Sequence, residues 1–347
     1  MNEQEFRMLA EIEEVPEVLR RLIERESDNV KAIASRIKQY APDFALLAGR
    51  GSSDNACIYG QYAFQLIANI PSALSTGSVY TLYKNPPQIS KALVVGVSQS
   101  GETDDVCETV KRAKEEGALT VGIANNQEST LYKLAGENAI YMQANKEESV
   151  CATKSFTASM ASLLMLAYAL ADKPLDDVSL LTSVETILRH KEQVSALAQR
   201  YMLAQNLVIL GTGLSYSAAE ETALKLKEAC YINAWGMSSV DFLHGPIAIL
   251  SHMSPVIIFA PADATLPASL NVIERIKQVG AHVLVISDNE EALKLGDAWF
   301  ELPSNHDLLY PFSEVTFAQL FAFYLARLRN INPDKPRYLS KVTQVEL

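Results

Sequence analysis

The chain contains an internal repeat, and this repeat limits the folds that it can adopt. Residues 44–53 (FALLAGRGSS) and 207–215 (LVILGTGLS) both consist of an apolar strand, a Gly-x-Gly turn and a serine before a predicted helix. Residues 117–125 and 280–288 form a second matching pair. Gly49 and Gly211 are 162 positions apart, and the second pair is offset by 163, so the sequence predicts a duplicated domain.

Each repeat alternates short apolar strands with helical segments of roughly ten to twenty residues. This alternation is typical of a parallel sheet flanked by helices, so we predict an α/β fold with two such three-layer domains. The predicted parts are an N-terminal helix in 1–27, a first domain in 28–172, a linking helix in 173–196, a second domain in 197–329 and a tail in 330–347. Ligands of parallel sheets bind beyond the carboxyl ends of the strands, and a site is expected there.

One predicted strand end carries a high density of hydroxyl groups. The segment SQSGET, residues 98–103, follows the apolar run 92–97 and precedes a predicted helix. Backbone N–H groups at a helix N-terminus attract anions, and a single polar residue would suffice as a cap. The side chains that can donate hydrogen bonds to phosphate oxygens are those of Ser98, Gln99, Ser100 and Thr103. The sequence therefore predicts a phosphate site here, with Ser52 and Ser53 facing the same ligand.

Composition excludes several classes of function. The net charge of −11 argues against nucleic acid as a partner. No apolar run approaches the roughly 18 residues of a membrane helix, and the charged N-terminus does not resemble a secretory signal, so we expect a cytoplasmic protein with no membrane partner. The four cysteines are far apart, which predicts free thiols and no metal site. Residues 49–54 lack the third glycine of a dinucleotide motif, and no cofactor is expected.

Four further residues could carry chemistry if they face the ligand. Lys225 and Glu228 share one face of the predicted helix that follows the second Gly-x-Gly turn. His244 lies in a turn, where its near-neutral pKa would suit an acid or base, although an isolated loop histidine is more often structural. Lys341 lies in the tail and would ordinarily be a solubility residue.

These segments occur together in one known family. Residues 49–53, 98–103, 223–228, 244–246 and the tail around Lys341 resemble the tandem sugar isomerase (SIS) family. The likeness is to the isomerase half of its glucosamine–fructose-6-phosphate aminotransferases and to stand-alone glucosamine-6-phosphate deaminases of the same fold. It covers nearly the whole chain.

The resemblance implies roles for the candidate residues. Glu228 would move a proton between C1 and C2 of a sugar phosphate, and His244, supplied by the other subunit of a homodimer, would open the sugar ring. Lys341 would form a Schiff base with the keto sugar. The implied substrate-binding residues are Ser52, Ser53, Ser98, Gln99, Ser100, Thr103, Val150, Ala152 and Lys225.

The departures from the family pattern bear on the reaction. Ala152 stands where the aminotransferases have a serine, and Leu243 and Asp241 replace a lysine and a glutamate. The sequence begins without their N-terminal cysteine and glutaminase domain. The expected reaction is therefore glucosamine 6-phosphate plus water to fructose 6-phosphate plus ammonia. A fructosamine-type deglycase, a galactosamine-6-phosphate deaminase, an aldose–ketose isomerase and a non-catalytic sugar-phosphate sensor remain as alternatives.

Overall fold

The structure, a computed structural model, describes residues 6–341. Residues 1–5 of the predicted N-terminal helix and 342–347 of the predicted tail lie outside the described residues. The chain divides into two compact units. Within the described residues, the first unit comprises Glu14–Glu147, Ala152–Asp177 and residues 340–341, and the second comprises residues 6–13, Glu148–Cys151 and Val178–Leu339.

The described residues form two sheets of five strands each. The strands are β1 (Phe44–Ala48), β2 (Ser72–Leu74), β3 (Ala92–Ser98), β4 (Leu119–Ala124), β5 (Ala139–Tyr141), β6 (Asn206–Gly211), β7 (Asn233–Ser238), β8 (Pro255–Phe259), β9 (His282–Ser287) and β10 (Ala298–Glu301). The α-helices are α1 (Arg7–Glu13), α2 (Val15–Tyr40), α3 (Ser52–Leu66), α4 (Gly77–Thr81), α5 (Asp104–Glu115), α6 (Thr130–Ala135), α7 (Lys154–Leu170), α8 (Asp177–Arg189), α9 (Lys191–Gln199), α10 (Ser215–Cys230), α11 (Ser239–Phe242), α12 (Leu266–Val279), α13 (Glu290–Leu295) and α14 (Tyr310–Leu328).

Both sheets are parallel and share one topology. The first has the strand order β2-β1-β3-β4-β5, and the second, β10-β9-β8-β6-β7, is the same order counted from the other edge. In each sheet the first strand of the unit lies between the second and the third, with Ala48 beside Gly96 in one and Gly211 beside Phe259 in the other. The predicted α/β fold with a duplicated domain is confirmed. In sheets of this order ligands bind where the strand order reverses.

The local sequence explains why these elements form. Strand β3 is buried at every position, as expected for a parallel strand covered by helices on both faces. A Cβ atom at Gly49 would lie 2.5 Å from the backbone carbonyl carbon of Ser53, so only glycine allows the chain to turn from β1 into α3. Helix α7 is buried along nearly its whole length. None of the helices within residues 6–341 is long and apolar enough to cross a membrane.

Candidate active site

The candidate residues fall into both units, and each unit is described in turn. In the first unit the SQSGET segment follows β3 and leads into α5, at the reversal point beside β1. We call residues 98–103 the phosphate loop. Arg50, in the turn after β1, forms an ion pair with Asp105 in the first turn of α5, with Nε 2.7 Å from Oδ2. This ion pair connects the turn that carries Ser52 and Ser53 to the helix that follows the phosphate loop.

The hydroxyl groups of the phosphate loop lie close together. Ser98 Oγ is 2.9 Å from Thr103 Oγ1 and 3.5 Å from Ser100 Oγ, and it accepts a hydrogen bond of 3.1 Å from the N–H of Gly101. Thr103 is the N-cap residue of α5, yet its side chain makes no capping bond to that helix. The first N–H groups of α5 are therefore not capped by Thr103, as an anion site requires. Gln99 and Ser100 are half-buried.

Contacts with the next loop along the sheet hold the phosphate loop rigidly. Gly101 has φ +70°, and a Cβ atom there would collide with the side chain of Ser129. The carbonyl of Gly101 accepts a bond of 2.9 Å from the N–H of Leu131. The carboxylate of Glu102 accepts bonds of 3.0 and 2.7 Å from the backbone and hydroxyl of Thr130, at the start of α6. The position after Ser100 must therefore be glycine, and the loop does not depend on a ligand for its shape.

The tail lysine is held by a buried carboxylate in the same unit. Lys341 Nζ lies 2.5 Å from Glu147 Oε2, and the Glu147 side chain is fully buried. Glu147 also accepts bonds of 3.0 Å from the N–H groups of Thr153 and Ser155 and of 2.6 Å from the Ser155 hydroxyl. Burial alone would raise the pKa of Glu147, but the Lys341 ammonium and the Ser155 bonds lower the pKa below its ordinary value. The side chain of Lys341 is therefore held in place by an ion pair, although the residue lies in the tail.

In the second unit a charged triad lies on α10. Lys225 Nζ is 2.5 Å from Glu228 Oε2 and 3.4 Å from Glu221 Oε1. The side chains of Lys225 and Glu221 are fully buried, and that of Glu228 is 22% exposed. Burial would lower the pKa of Lys225, but the two carboxylates raise it above its ordinary value. Lys225 therefore stays charged, and in this structure it contacts carboxylates.

The other predicted site residues lie on the surface or in half-buried segments. His244 is exposed in the turn after α11, where its N–H donates a bond of 3.0 Å to the carbonyl of Asp241. Val150 and Ala152 are half-buried on either side of buried Cys151. Val150 belongs to the second unit and Ala152 to the first.

The equivalent crevice of the second unit has a different chemistry. Asp263, in the loop after β8, accepts bonds of 2.7 and 2.6 Å from the backbone and hydroxyl of Thr265. Glu314, on α14, is fully buried, and Ser215 donates a bond of 2.7 Å to its Oε1 atom. Burial is the main reason why the pKa of Glu314 is raised to about 8; the Ser215 bond lowers this pKa, and the charges of Asp263 and Asp288 raise it. Acidic groups thus stand where the first unit has hydroxyls. Within residues 6–341 no three acidic, histidine or cysteine side chains are grouped so that they could hold a metal ion.

Comparison with known families agrees with the duplicated topology. The family described as SIS domain matches the chain twice, at residues 43–169 and at residues 202–329. The chain belongs to the SIS family. Each of the two SIS matches contains one of the parallel sheets, and the phosphate loop lies in the first.

Several SIS proteins resemble the chain over most of its length. The glutamine–fructose-6-phosphate aminotransferase (isomerizing) of Thermococcus kodakarensis is 32% identical over 351 residues, which cover 98% of this chain and 58% of the enzyme. The C-terminal domain of glucosamine-fructose-6-phosphate aminotransferase from Francisella tularensis superimposes with a TM-score of 0.84 at 25% identity, covering 95% of this chain and 98% of that domain. Glucosamine-6-phosphate deaminase from Thermotoga maritima shares the fold, with a TM-score of 0.76 at 23% identity over 96% of this chain and 98% of that one.

The sequence did not reveal every residue of the candidate site. Glu221 lies four positions before Lys225 on one helix, and this spacing could have indicated the triad. Glu147 is 194 positions from Lys341, and no local pattern connects them.

Proposed function

We propose that the chain is an amino-sugar phosphate deaminase/isomerase, which converts glucosamine 6-phosphate and water into fructose 6-phosphate and ammonia. The observation that carries the proposal is the phosphate loop, in which the Ser98 hydroxyl lies within hydrogen-bond range of the hydroxyls of Ser100 and Thr103, and which is followed by a helix whose N-cap side chain does not cap it. The related glutamine–fructose-6-phosphate aminotransferase of Thermococcus kodakarensis is 32% identical across 98% of this chain. That similarity supports a hexose 6-phosphate as the ligand.

The proposed reaction assigns one role to each catalytic candidate. His244 acts as acid and base in opening the sugar ring, and Glu228 moves the proton from C2 to C1, which leaves an imine at C2. The amine of Lys341 adds to C2 and displaces ammonia. Water then hydrolyses the lysine imine, which releases fructose 6-phosphate and regenerates Lys341.

The phosphate would serve as a handle remote from the reacting carbons. Its hydrogen bonds are the same in substrate and transition state, so they hold C1 and C2 in place without being part of the chemical step. The rigid support of the phosphate loop by Thr130 and Leu131 suits this role. Ser52 and Ser53, at the start of α3, are proposed as further contacts to the same ligand.

The properties of the cysteines favour water as the co-substrate. A cysteine that releases ammonia from glutamine would have to act as a nucleophilic thiolate. Three of the four cysteines, Cys57, Cys151 and Cys230, are buried. Burial, together with Glu102 and Asp104, raises the pKa of Cys107 to about 11. None of the four has the environment of a reactive thiol, so no cysteine of this chain is a candidate to attack glutamine, and the proposal takes water as the co-substrate. Because all four are free, a reducing compartment fits, and we propose the cytoplasm.

We further propose a homodimer in which each subunit supplies His244 to the other. The exposure of His244 on the surface of the single chain supports this arrangement. Size measurement in solution tests it, because a monomer that is fully active would contradict the shared histidine.

A direct assay tests the activity. The purified chain is incubated with millimolar glucosamine 6-phosphate, and both ammonia and fructose 6-phosphate are measured. We expect equal amounts of the two products. We also expect Glu228→Gln to abolish turnover while binding of inorganic phosphate is retained. Glu192→Gln, an exposed position on α9, serves as the control.

The alternatives give different results in the same assay. Release of ammonia only from galactosamine 6-phosphate, or loss of the amine only from fructosamine 6-phosphate, would replace the substrate. Interconversion of aldose and ketose phosphates without ammonia would indicate a simple isomerase. Binding of fructose 6-phosphate with no turnover of any of these sugars, unchanged by Glu228→Gln, would indicate a sensor and contradict the proposal.

A further inference from the structure

A strained stretch of backbone leads to the carboxylate that holds Lys341. Gln143 has φ +55° and Asn145 has φ +52°, and both lie between the end of β5 and Glu147. Residues other than glycine in the left-handed region cost on the order of 1–3 kcal/mol each, and they persist only where the surroundings impose them. We call residues 143–147 the strained connection. Its shape places Glu147, and therefore the ammonium of Lys341.

One side chain clamps this connection at two neighbouring residues, Ala144 and Asn145. The side-chain oxygen of Asn125 accepts a bond of 3.0 Å from the N–H of Ala144, and its amide nitrogen donates a bond of 2.6 Å to the carbonyl of Asn145. Asn125 follows the last residue of β4 and is only partly exposed. The two bonds use both the acceptor and the donor of the amide, which a carboxylate or a methyl group cannot do.

Asn125 is also bonded to the phosphate loop. Its backbone N–H donates a bond of 3.1 Å to the carbonyl of Gln99. A single residue thus joins the loop proposed to hold the phosphate to the backbone that carries Glu147. From the opposite side, Arg21 Nε donates a bond of 2.9 Å to the carbonyl of Gln143, and the Gln143 side chain donates one of 2.8 Å to Glu26. The connection is therefore fixed from two sides, by α2 and by Asn125.

We propose that Asn125 is a positioning residue that keeps Glu147, the carboxylate that holds Lys341, at a set distance from the phosphate loop. This rests on the proposed function, in which the Lys341 amine attacks a carbon of a sugar anchored by its phosphate. An attacking group must approach its carbon to within roughly 3–3.5 Å, and a misplacement of about 1 Å can cost about a hundredfold in rate. Asn125 acts through the strained connection, which its side chain bonds at Ala144 and Asn145 and which leads to Glu147.

Two variants and one control test the proposal. Asn125→Ala removes both side-chain bonds, and Asn125→Asp keeps an acceptor for Ala144 but loses the donor to Asn145. Gln127→Ala, in the same loop, removes an exposed side chain that bonds only weakly to Tyr132, at 3.4 Å. Thermal unfolding of each variant identifies those that remain folded, and Asn125→Asp, as the milder change, replaces Asn125→Ala if the latter does not fold.

The first readout needs no turnover. Lysines are acetylated with limiting acetic anhydride, and the rate at Lys341 is measured by mass spectrometry relative to that at Lys191. We expect Lys341 to react roughly tenfold faster in the Asn125 variants, the effect of about one hydrogen bond, because the ion pair with Glu147 loosens. Gln127→Ala should match the wild type. Equal Lys341 reactivity in the wild type and in a folded Asn125 variant would overturn the proposal, whatever the chain does with sugars.

The second readout is kinetic. For glucosamine 6-phosphate we expect kcat to fall about a hundredfold in Asn125→Ala, while the affinity for inorganic phosphate changes less than threefold. A fall in phosphate affinity with unchanged kcat would also overturn the proposal, since Asn125 would then act only on the loop. If the wild type turns over no amino sugar yet Lys341 reactivity rises in the variants, the proposed function fails while the positioning role stands.

Discussion

Replacing Lys225 with methionine tests whether the charged triad of α10 is an interdependent buried network. Methionine keeps most of the length of the lysine side chain but removes the ammonium that neutralises Glu221 and Glu228. Nζ lies 3.4 Å from Glu221 Oε1, and both of these side chains are fully buried. Removing one partner of a buried ion pair typically costs about 3–5 kcal/mol, because the remaining charge stays away from water. We expect a loss of this size in the free energy of unfolding.

The measurement is urea denaturation followed by circular dichroism. Lys227→Met on the same helix is the matched control, because Lys227 is exposed and its loss should change the free energy by less than about 0.5 kcal/mol. The double variant Glu221→Gln/Lys225→Met removes both buried charges and should recover at least about 2 kcal/mol of the loss. Together with the single variant Glu221→Gln, these measurements complete a double-mutant cycle that gives the coupling between the two positions.

Two results would refute this reasoning. If Lys225→Met costs less than about 1 kcal/mol, the buried carboxylate does not need the ammonium. If the double variant is no more stable than the single one, the loss comes from packing rather than from an uncompensated charge. In either case the triad of α10 would not be an interdependent buried network.

Three further changes have defined outcomes. Gly101→Ala should weaken binding of inorganic phosphate at least about tenfold by calorimetry, because a Cβ at φ +70° collides with Ser129, and unchanged affinity would contradict it. Burial raises the pKa of Glu314 to about 8 from an ordinary 4.5, so the folded state loses stability as the pH rises from about 4.5 to about 8. Glu314→Gln should therefore flatten the decline in melting temperature between about pH 5 and about 8. If the melting temperature of the variant declines as steeply as that of the wild type, the prediction is wrong. The pKa of Glu147 is lowered despite its burial, so the ionised carboxylate stabilises the fold above the ordinary pKa, and this stabilisation is lost as the pH falls below that value. Glu147→Gln should therefore lower the melting temperature more at about pH 7 than at about pH 3. The reverse order would contradict the ion pair with Lys341.

The fold could be predicted from the sequence because its signals are local and occur twice. Strand β3 is a continuous apolar run, and the helix predicted after Thr103 begins at Asp104. The Gly-x-Gly turns after β1 and β6 depend on the close approach of a few neighbouring residues. Because the strand and turn motifs recur at a nearly constant offset, these local signals predict two equivalent domains.

The grouping of hydroxyls in residues 98–103 at the start of a helix could be predicted for the same reason, and their binding of phosphate stays a prediction. These hydroxyls lie within six consecutive residues, and a strand followed by a helix is enough to place them at an anion-attracting N-terminus. The sequence also made Lys225, Glu228 and Lys341 candidates, the last only through a family resemblance.

Only the tertiary structure decided what surrounds those candidates. The complete burial of Lys225 depends on the packing of α10 against α14. The position of the Lys341 ammonium depends on Glu147, 194 positions away in the sequence. The clamp by Asn125 joins three separate loops. Periodicity, turns and caps are interactions between neighbours in the chain, and a sequence displays them directly. Burial and the choice of a charge partner arise between residues that are distant along the chain, and they exist only once the whole unit has packed.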